Sequence, residues 1–391
     1  METAQRGPVK LAEEKVEIKK GLKDVYFDRS ESSFIDAKNG TLLYRGYNIH
    51  DLAEHSTFEE TAYLLLHGTL PTSPQLGEFD AQLKAERRLP NEILQVIRIT
   101  KDAHPMDVLR TAVSAMSSLD SEVSDNSHAS TMRKGVRLTS AAATIVAAHA
   151  RLRDGKDPVS PDTDLTHAAN LLYMLFGNRP DEKDTRLIDK DLVLHAEHGV
   201  NASTFGARVA ASTGADFYAA ITAAIAVLKG PKHGGAAENV MNMAKEIGSA
   251  DKAKDYVESV VNNGGRIPGF GHPVYRTIDP RTVHLKADAK ELGERKGNPG
   301  WFSILQAVTE TDTMKKRSRL GHHPNVDLWA GAVYSLLGIP NDLFIPLFAI
   351  GRMPGWTSHI LEQYNRKDIL RPRLQYSGPM EMPYVPIEQR N

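Results

Sequence analysis

Residues 138–152 read L-T-S-A-A-A-T-I-V-A-A-H-A-R-L. The run is alanine-rich and apolar on nearly every side. A helix without a polar face is buried in a core or an interface. Residues 205–228, F-G-A-R-V-A-A-S-T-G-A-D-F-Y-A-A-I-T-A-A-I-A-V-L, repeat the theme. Alanine and glycine let helices approach closely, which suits a helix-packed dimer face or an ordinary intramolecular core. Outward from these stretches the pattern stays helical. Apolar periodicity predicts helices near 90–103, 105–119, 134–154, 164–177, 181–198, 236–247, 252–263, 280–294, 300–318, 325–338 and 350–364. Before them, Thr57 with Glu60, or Ser56 with Glu59, makes a capping box. Phe58, Ala62, Leu65 and Leu66 then form an apolar face, Gly68 ends that helix, and Ser73-Pro74 opens the next. The one convincing strand pair is Ser33 to Tyr44, with Asn39-Gly40 as its turn. The first thirty residues are polar and expected to be partly mobile at their start. The expected class is all-α.

Composition narrows the function. The 391 residues are 41% hydrophobic and 25% charged, as in an ordinary soluble globular protein large enough for two domains. Lys+Arg is 48 and Asp+Glu is 49, a net charge of -1, so nucleic acid is not the expected partner. The sequence has no cysteine, which removes disulfides, thiolate nucleophiles and cysteine-held metals. No apolar run approaches the roughly 20 residues of a membrane span. Glu2, Glu13, Glu14 and Glu17 among the first lysines argue against a signal or transit peptide. A cytoplasmic protein is expected.

The chemistry concentrates in Pro268–Arg281, P-G-F-G-H-P-V-Y-R-T-I-D-P-R. Three prolines and two glycines exclude a regular helix and force repeated stiff turns. They place His272, Arg276 and Arg281. An imidazole polarises a carbonyl near neutral pH, and guanidinium groups grip carboxylates and phosphates. The stretch is a site for a small, multiply anionic substrate, or a structural turn with solvated arginines. Four further stretches add candidates. His195 and His198 at a helix end suit an anion, a metal lacking its third ligand, or mere dipole compensation. In G-P-K-H-G-G, His233 precedes a helix start that disfavours an imidazolium, so a neutral His233 can donate to a developing enolate oxygen. Asn325 reads as an N-cap, with Asp327 in the first helical turn, where the dipole favours the ionised carboxylate. Arg352 and Arg371 each stand beside a proline and, with Arg281, can hold a dicarboxylate by paired contacts.

Taken in order, H-A-E-H-G-V-N-A-S-T, G-P-K-H-G-G-A, G-F-G-H-P-V-Y-R-x-x-D-P-R, N-V-D-L-W-A-G, I-G-R-M-P-G-W and R-P-R resemble the citrate synthase family. The resemblance runs from the hairpin to Arg373, at the length of the shorter bacterial and archaeal members. It implies an all-α homodimer with a large domain, 1–221 continued by 342–391, and a smaller one at 222–341, the active site lying in the cleft between them. It implies condensation of acetyl-CoA with oxaloacetate and water to citrate and CoA, without a metal or other cofactor. By motif, Asp327 is the base, His233 stabilises the enolate, and His272 polarises the oxaloacetate ketone. His198, Arg281 and Arg352 bind oxaloacetate carboxylates, Arg371 does so from the neighbouring subunit, and Arg276 contacts CoA phosphate. Pro273 stands where many relatives have arginine, so an extra phosphate contact there is not implied. The nearest competing reading is a 2-methylcitrate synthase using propionyl-CoA. More distant ones are a non-catalytic helical binding protein and a metallohydrolase built on His195 and His198.

Overall fold

The computed structural model describes residues 16–22 and 24–390. The first fifteen residues, expected to be mobile, lie outside the described residues. Seventeen α-helices and one three-stranded antiparallel sheet make up the described regular structure, apart from short 3-10 turns. Backbone contacts divide the chain into two units. Residues 30–369 carry all the long helices, and the two chain ends form a terminal unit.

The expected hairpin forms, with Ser33 opposite Tyr44 and Asp36 opposite Thr41. Its turn is longer than the two residues Asn39-Gly40. Asp36 organises four residues by accepting from the amides of Lys38 (2.9 Å) and Asn39 (3.0 Å). A third short strand, Tyr47–Asn48, was not expected and pairs with the second. Thr57 caps the helix Phe58–His67 by accepting from the Glu60 amide, and Gly68 ends it at φ 86°, as the capping pattern predicts.

The helix His128–Arg153 begins six residues before its expected start because Ser127 supplies the cap. Its side chains from Leu138 to Ala150 are buried, so this alanine-rich stretch serves the core of its own chain. Residues 205–228 are two helices, Ala202–Ser212 and Phe217–Leu228, parted at Gly214 (φ 78°) and restarted by the Asp216 cap. They lie so close that a Cβ on Gly206 would meet Val227 Cγ2 at 3.0 Å. The expected helix over 300–318 is likewise two, Gly300–Glu310 and Asp312–Arg319, because Thr311 turns extended and caps the second.

Two differences shape the site. The helix expected over 181–198 ends at His195, so His198 lies in the loop beyond it. The helix expected from 350 begins at Phe344 and runs to Tyr364 through Pro354. A proline there removes one backbone hydrogen bond. The helix persists because nearly every side chain from Phe344 to Leu361 is buried. Tertiary packing overrides local propensity.

In the terminal unit the regular structure among the described residues is two 3-10 turns, Lys20–Leu22 and Ile387–Gln389. Tyr26 and Leu374 are each 98% exposed.

Candidate active site

The site grows from three loops and two helices. The first loop, 196–201, joins the helix Glu182–His195 to Ala202–Ser212. Asn201 stiffens its far end by accepting from the amides of Ser203 and Thr204, both at 3.1 Å. Glu197 fixes its middle: the buried carboxylate accepts from Ser33 Oγ (3.0 Å), the His359 ring (3.0 Å) and the Gly199 amide. Burial acts to raise the Glu197 carboxyl, but His359 and Arg352 outweigh it and hold it below the usual range. Next to it, His198 is buried, with Nε2 3.2 Å from the Tyr275 hydroxyl. Burial, then the charge of Arg281, keeps His198 neutral well below its ordinary value.

The second loop, between 264 and 281, carries His272 at a partly exposed position. Its Nδ1 accepts from the amides of Val274 (3.0 Å) and Tyr275 (3.2 Å). Two amide donors at Nδ1 assign the ring proton to Nε2. Burial and then Arg281 push the ring down to about 4, so it is a neutral donor. Arg281 grips Asp279 in a buried fork, Nε to Oδ1 at 3.0 Å and Nη2 to Oδ2 at 2.7 Å. Arg276, in the same loop, is exposed on the rim and rests its guanidinium on the carbonyls of Pro273 and Tyr275, both at 3.3 Å.

The third loop, Lys229–Gly235, presents His233. The Ser203 amide donates to its Nε2 at 3.3 Å, and Ser203 Oγ lies 2.9 Å from the same nitrogen. The amide donor assigns the proton to Nδ1. Burial and then the Arg352 charge push this ring, too, down to about 4. The sequence predicted a neutral His233 from the nearby helix start. Burial and the Arg352 charge bring about that neutrality.

Asp327 opens the helix Asp327–Leu336, and its amide donates to Asn325 Oδ1 at 3.1 Å. Asn325 does more than cap. Its Nδ2 donates to the Gly271 carbonyl (2.9 Å) and its amide to the Gly269 carbonyl (3.0 Å). One side chain thus ties the loop of His272 to the helix of Asp327. Burial pushes the Asp327 carboxyl up to about 6, against the pull of His195 and Arg281. The expected dipole effect loses to desolvation, as a removal from water outweighs a partial charge at a helix end.

Arg352 lies within the long helix Phe344–Tyr364 and is fully buried. Its Nε donates to the His195 carbonyl at 2.6 Å, and Phe348 lies against its guanidinium at 4.7 Å. Nη1 and Nη2 are buried without a hydrogen-bond partner among the described residues. The approach of this helix to the first loop requires Gly355, whose added Cβ would meet the Ala196 carbonyl at 2.2 Å. Burial pushes Arg352 down to about 10.

His198, His272, Tyr275, Asp279 and Arg281 therefore form one cluster, with the His198 and His272 rings 5.1 Å apart. His233, Arg352 and Asp327 belong to its electrostatic neighbourhood. Arg371 lies in the terminal unit, exposed. His195 and His198 do not form the metal pair weighed in the sequence. His195 turns its Nδ1 to the Asp191 carbonyl (2.9 Å), while His198 turns to Tyr275. The one group with metal-ligand spacing among the described residues is His198, His272 and Asp279, with ligand atoms within 4.8 Å of one another. Both Asp279 oxygens are already held by Arg281. Two nearby guanidinium groups and two neutral histidines favour an anion over a cation.

Sequence reasoning missed the supporting shell. Glu197, Ser203, Tyr275 and His359 sit inside or beside the quoted motifs, but nothing in residue type or spacing marks them. Only the fold brings His359 to Glu197 across 162 positions.

A model described as citrate synthase, C-terminal domain, matches residues 21–373. The chain belongs to the citrate synthase family. The citrate synthase of Haloferax volcanii is 43% identical over 382 residues, covering 96% of this chain and 99% of its own. A 2-methylcitrate synthase of Corynebacterium glutamicum is 41% identical, covering 96% and 98%. The citrate synthase of Thermoplasma acidophilum, solved as a ternary complex with carboxymethyl coenzyme A and oxaloacetate, superposes with a TM-score of 0.91 at 31% identity, covering 96% and 100%. The all-α architecture expected from the apolar helices is that of the citrate synthase family.

Proposed function

We propose that this chain is a citrate synthase, condensing acetyl-CoA with oxaloacetate and water to citrate and CoA. The observation that carries the reading is Arg352: a fully buried guanidinium whose Nη1 and Nη2 have no hydrogen-bond partner among the described residues. Glu197 is near enough to interact by charge, but among the described residues no group accepts a hydrogen bond from either nitrogen. A carboxylate supplies both acceptors bidentately.

Oxaloacetate is held by Arg352, Arg281 and His198, and by Arg371 of a second copy. His272 Nε2–H donates to the ketone oxygen. The Asp327 carboxylate removes a proton from the thioester methyl, and His233 Nδ1–H donates to the thioester oxygen as it becomes an enolate. The enolate carbon attacks the ketone carbon. The new alkoxide takes its proton from His272 and becomes the hydroxyl; His272 regains a proton from solvent, and Asp327 releases to solvent the one it took. Water then cleaves the citryl thioester, releasing citrate and the CoA thiol. A positioned base contributes about 10²–10⁴-fold. A preorganised donor at the oxyanion contributes roughly 10²–10³-fold. Neutral histidines suit both donor roles, and a carboxyl at about 6 is a stronger base than an ordinary one while ionised at neutral pH.

No step draws on a metal or redox cofactor. Arg276, exposed on the rim, is suited to a CoA phosphate. Residues 222–341 form the smaller domain, and 1–221 with 342–391 the larger. Two copies associate, a reading supported by exposed Ala219, Ala226 and Val227 on the helix Phe217–Leu228 and by the apolar residues exposed at the chain ends. No described helix is long and apolar enough to cross a membrane. The archaeal and bacterial relatives support an enzyme that works in the cytoplasm.

The similarity to a 2-methylcitrate synthase at 41% identity supports a second reading, in which propionyl-CoA is the acyl donor and the same residues act. One methylene changes binding by only about 1–3 kcal/mol. Comparing kcat/KM for thiol release from the two thioesters decides between them. Higher kcat/KM with acetyl-CoA is expected; higher kcat/KM with propionyl-CoA assigns the second reading.

A further inference from the structure

Tyr275 lies between His272 and Arg276 in the sequence, where nothing marks it as functional. In the fold its side chain is 1% exposed. Its ring centroid is 4.7 Å from that of His272 and 5.4 Å from that of His198. Its backbone amide is one of the two donors that set the His272 tautomer. Its hydroxyl makes one hydrogen bond among the described residues, to His198 Nε2 at 3.2 Å. A single residue thus touches both histidines at the oxaloacetate end of the site.

Burial drives the phenol upward from its ordinary value, so the hydroxyl stays protonated. It carries one proton and two lone pairs. His198 is neutral and contributes one N–H. In the unliganded pair, one of these two hydrogens bridges Nε2 and the hydroxyl. A dianionic substrate offers only acceptors. A phenol that accepts from His198 Nε2–H keeps its own proton for such an acceptor. We propose that Tyr275 is a positioning residue for His198 and that its hydroxyl is an additional donor to bound oxaloacetate. This rests on the function proposed above.

The test is Tyr275→Phe, which keeps the ring and removes the hydroxyl. The oxaloacetate KM and the Kd by calorimetry are expected to rise about tenfold, as for one lost hydrogen bond. The KM for acetyl-CoA and the Tm should stay unchanged. In a His198→Gln background the same substitution should raise the oxaloacetate Kd by a smaller factor, because the positioning of His198 is already lost and only the direct donor remains to be removed. An unchanged oxaloacetate Kd, or an equal rise in both backgrounds, overturns the proposal. A Tm lowered by more than about 5 °C assigns the hydroxyl to stability and also overturns it. Thiol release by the wild type is read separately. Oxaloacetate binding without thiol release rejects the activity, and the Kd comparison still decides the role of Tyr275.

Discussion

Replacing Arg352 by leucine separates ligand binding from stability. Among the described residues the fully buried guanidinium makes one hydrogen bond, to the His195 carbonyl at 2.6 Å, and Nη1 and Nη2 have no hydrogen-bond partner. Its depression from 12.5 to about 10 corresponds to about 3 kcal/mol of unfavourable burial. Leucine removes that cost and leaves the His195 carbonyl without its donor, which costs about 1–3 kcal/mol. The two nearly cancel, so the unliganded Tm should stay within about 5 °C of wild type. Binding has no such compensation. Two charge-assisted hydrogen bonds, each about 1.5–3 kcal/mol, vanish together. The oxaloacetate KM should rise about 10²–10⁴-fold. The assay is thiol release against oxaloacetate concentration, with thermal melts run without ligand. An unchanged KM refutes the reasoning, and so does a variant that fails to fold without ligand.

Further outcomes follow from the same geometry. Asp327→Asn should lower kcat about 10²–10⁴-fold in the thiol assay. The same variant should melt higher than wild type at pH 8 and alike at pH 4. The folded carboxyl, raised to about 6 from 3.8, binds its proton more tightly than the unfolded one. The stability of the wild type therefore falls by about 3 kcal/mol as pH rises through that window, and asparagine escapes the loss. For the same reason wild-type kcat/KM should fall as pH drops below about 6, because the base must be ionised. His233 and His272, at about 4, stay neutral through that fall. His233→Ala should lower kcat about 10²–10³-fold, with circular dichroism unchanged.

The fold class was legible because alanine-rich helices such as 138–152 have no polar face and admit no other placement. Helix ends were legible where a side chain caps them, as at Thr57, and illegible where packing decides, as at Phe344, six residues before the expected start at 350. A proline in a sequence argues for a break. Only burial along the whole of Phe344–Tyr364 shows why none occurs. Of the site, the groups with distinctive chemistry were legible: three histidines, one aspartate and the arginines. The stiff loop Pro268–Arg281 could be read as a frame, but not which ring nitrogen of His272 it protonates, because that depends on two amides. For Asp327 the helix start speaks for an easily ionised carboxylate, whereas burial raises the carboxyl to about 6. A sequence shows a helix start, and only the fold shows how much water is excluded there. The supporting residues Glu197 and Tyr275, and the second bond of Asn325 to the Gly271 carbonyl, act through contacts across the chain that leave no local signature.

The central claim is that Asp327 removes a proton from an acyl-CoA while oxaloacetate waits in the arginine–histidine cluster. The direct measurement is the time course of free CoA thiol released from acetyl-CoA, with and without oxaloacetate, by the wild type and by Asp327→Asn. The account predicts steady release by the wild type that requires oxaloacetate, and release slowed at least about a hundredfold in the variant. Release at equal rates by the two proteins, or release that does not depend on oxaloacetate, would contradict it.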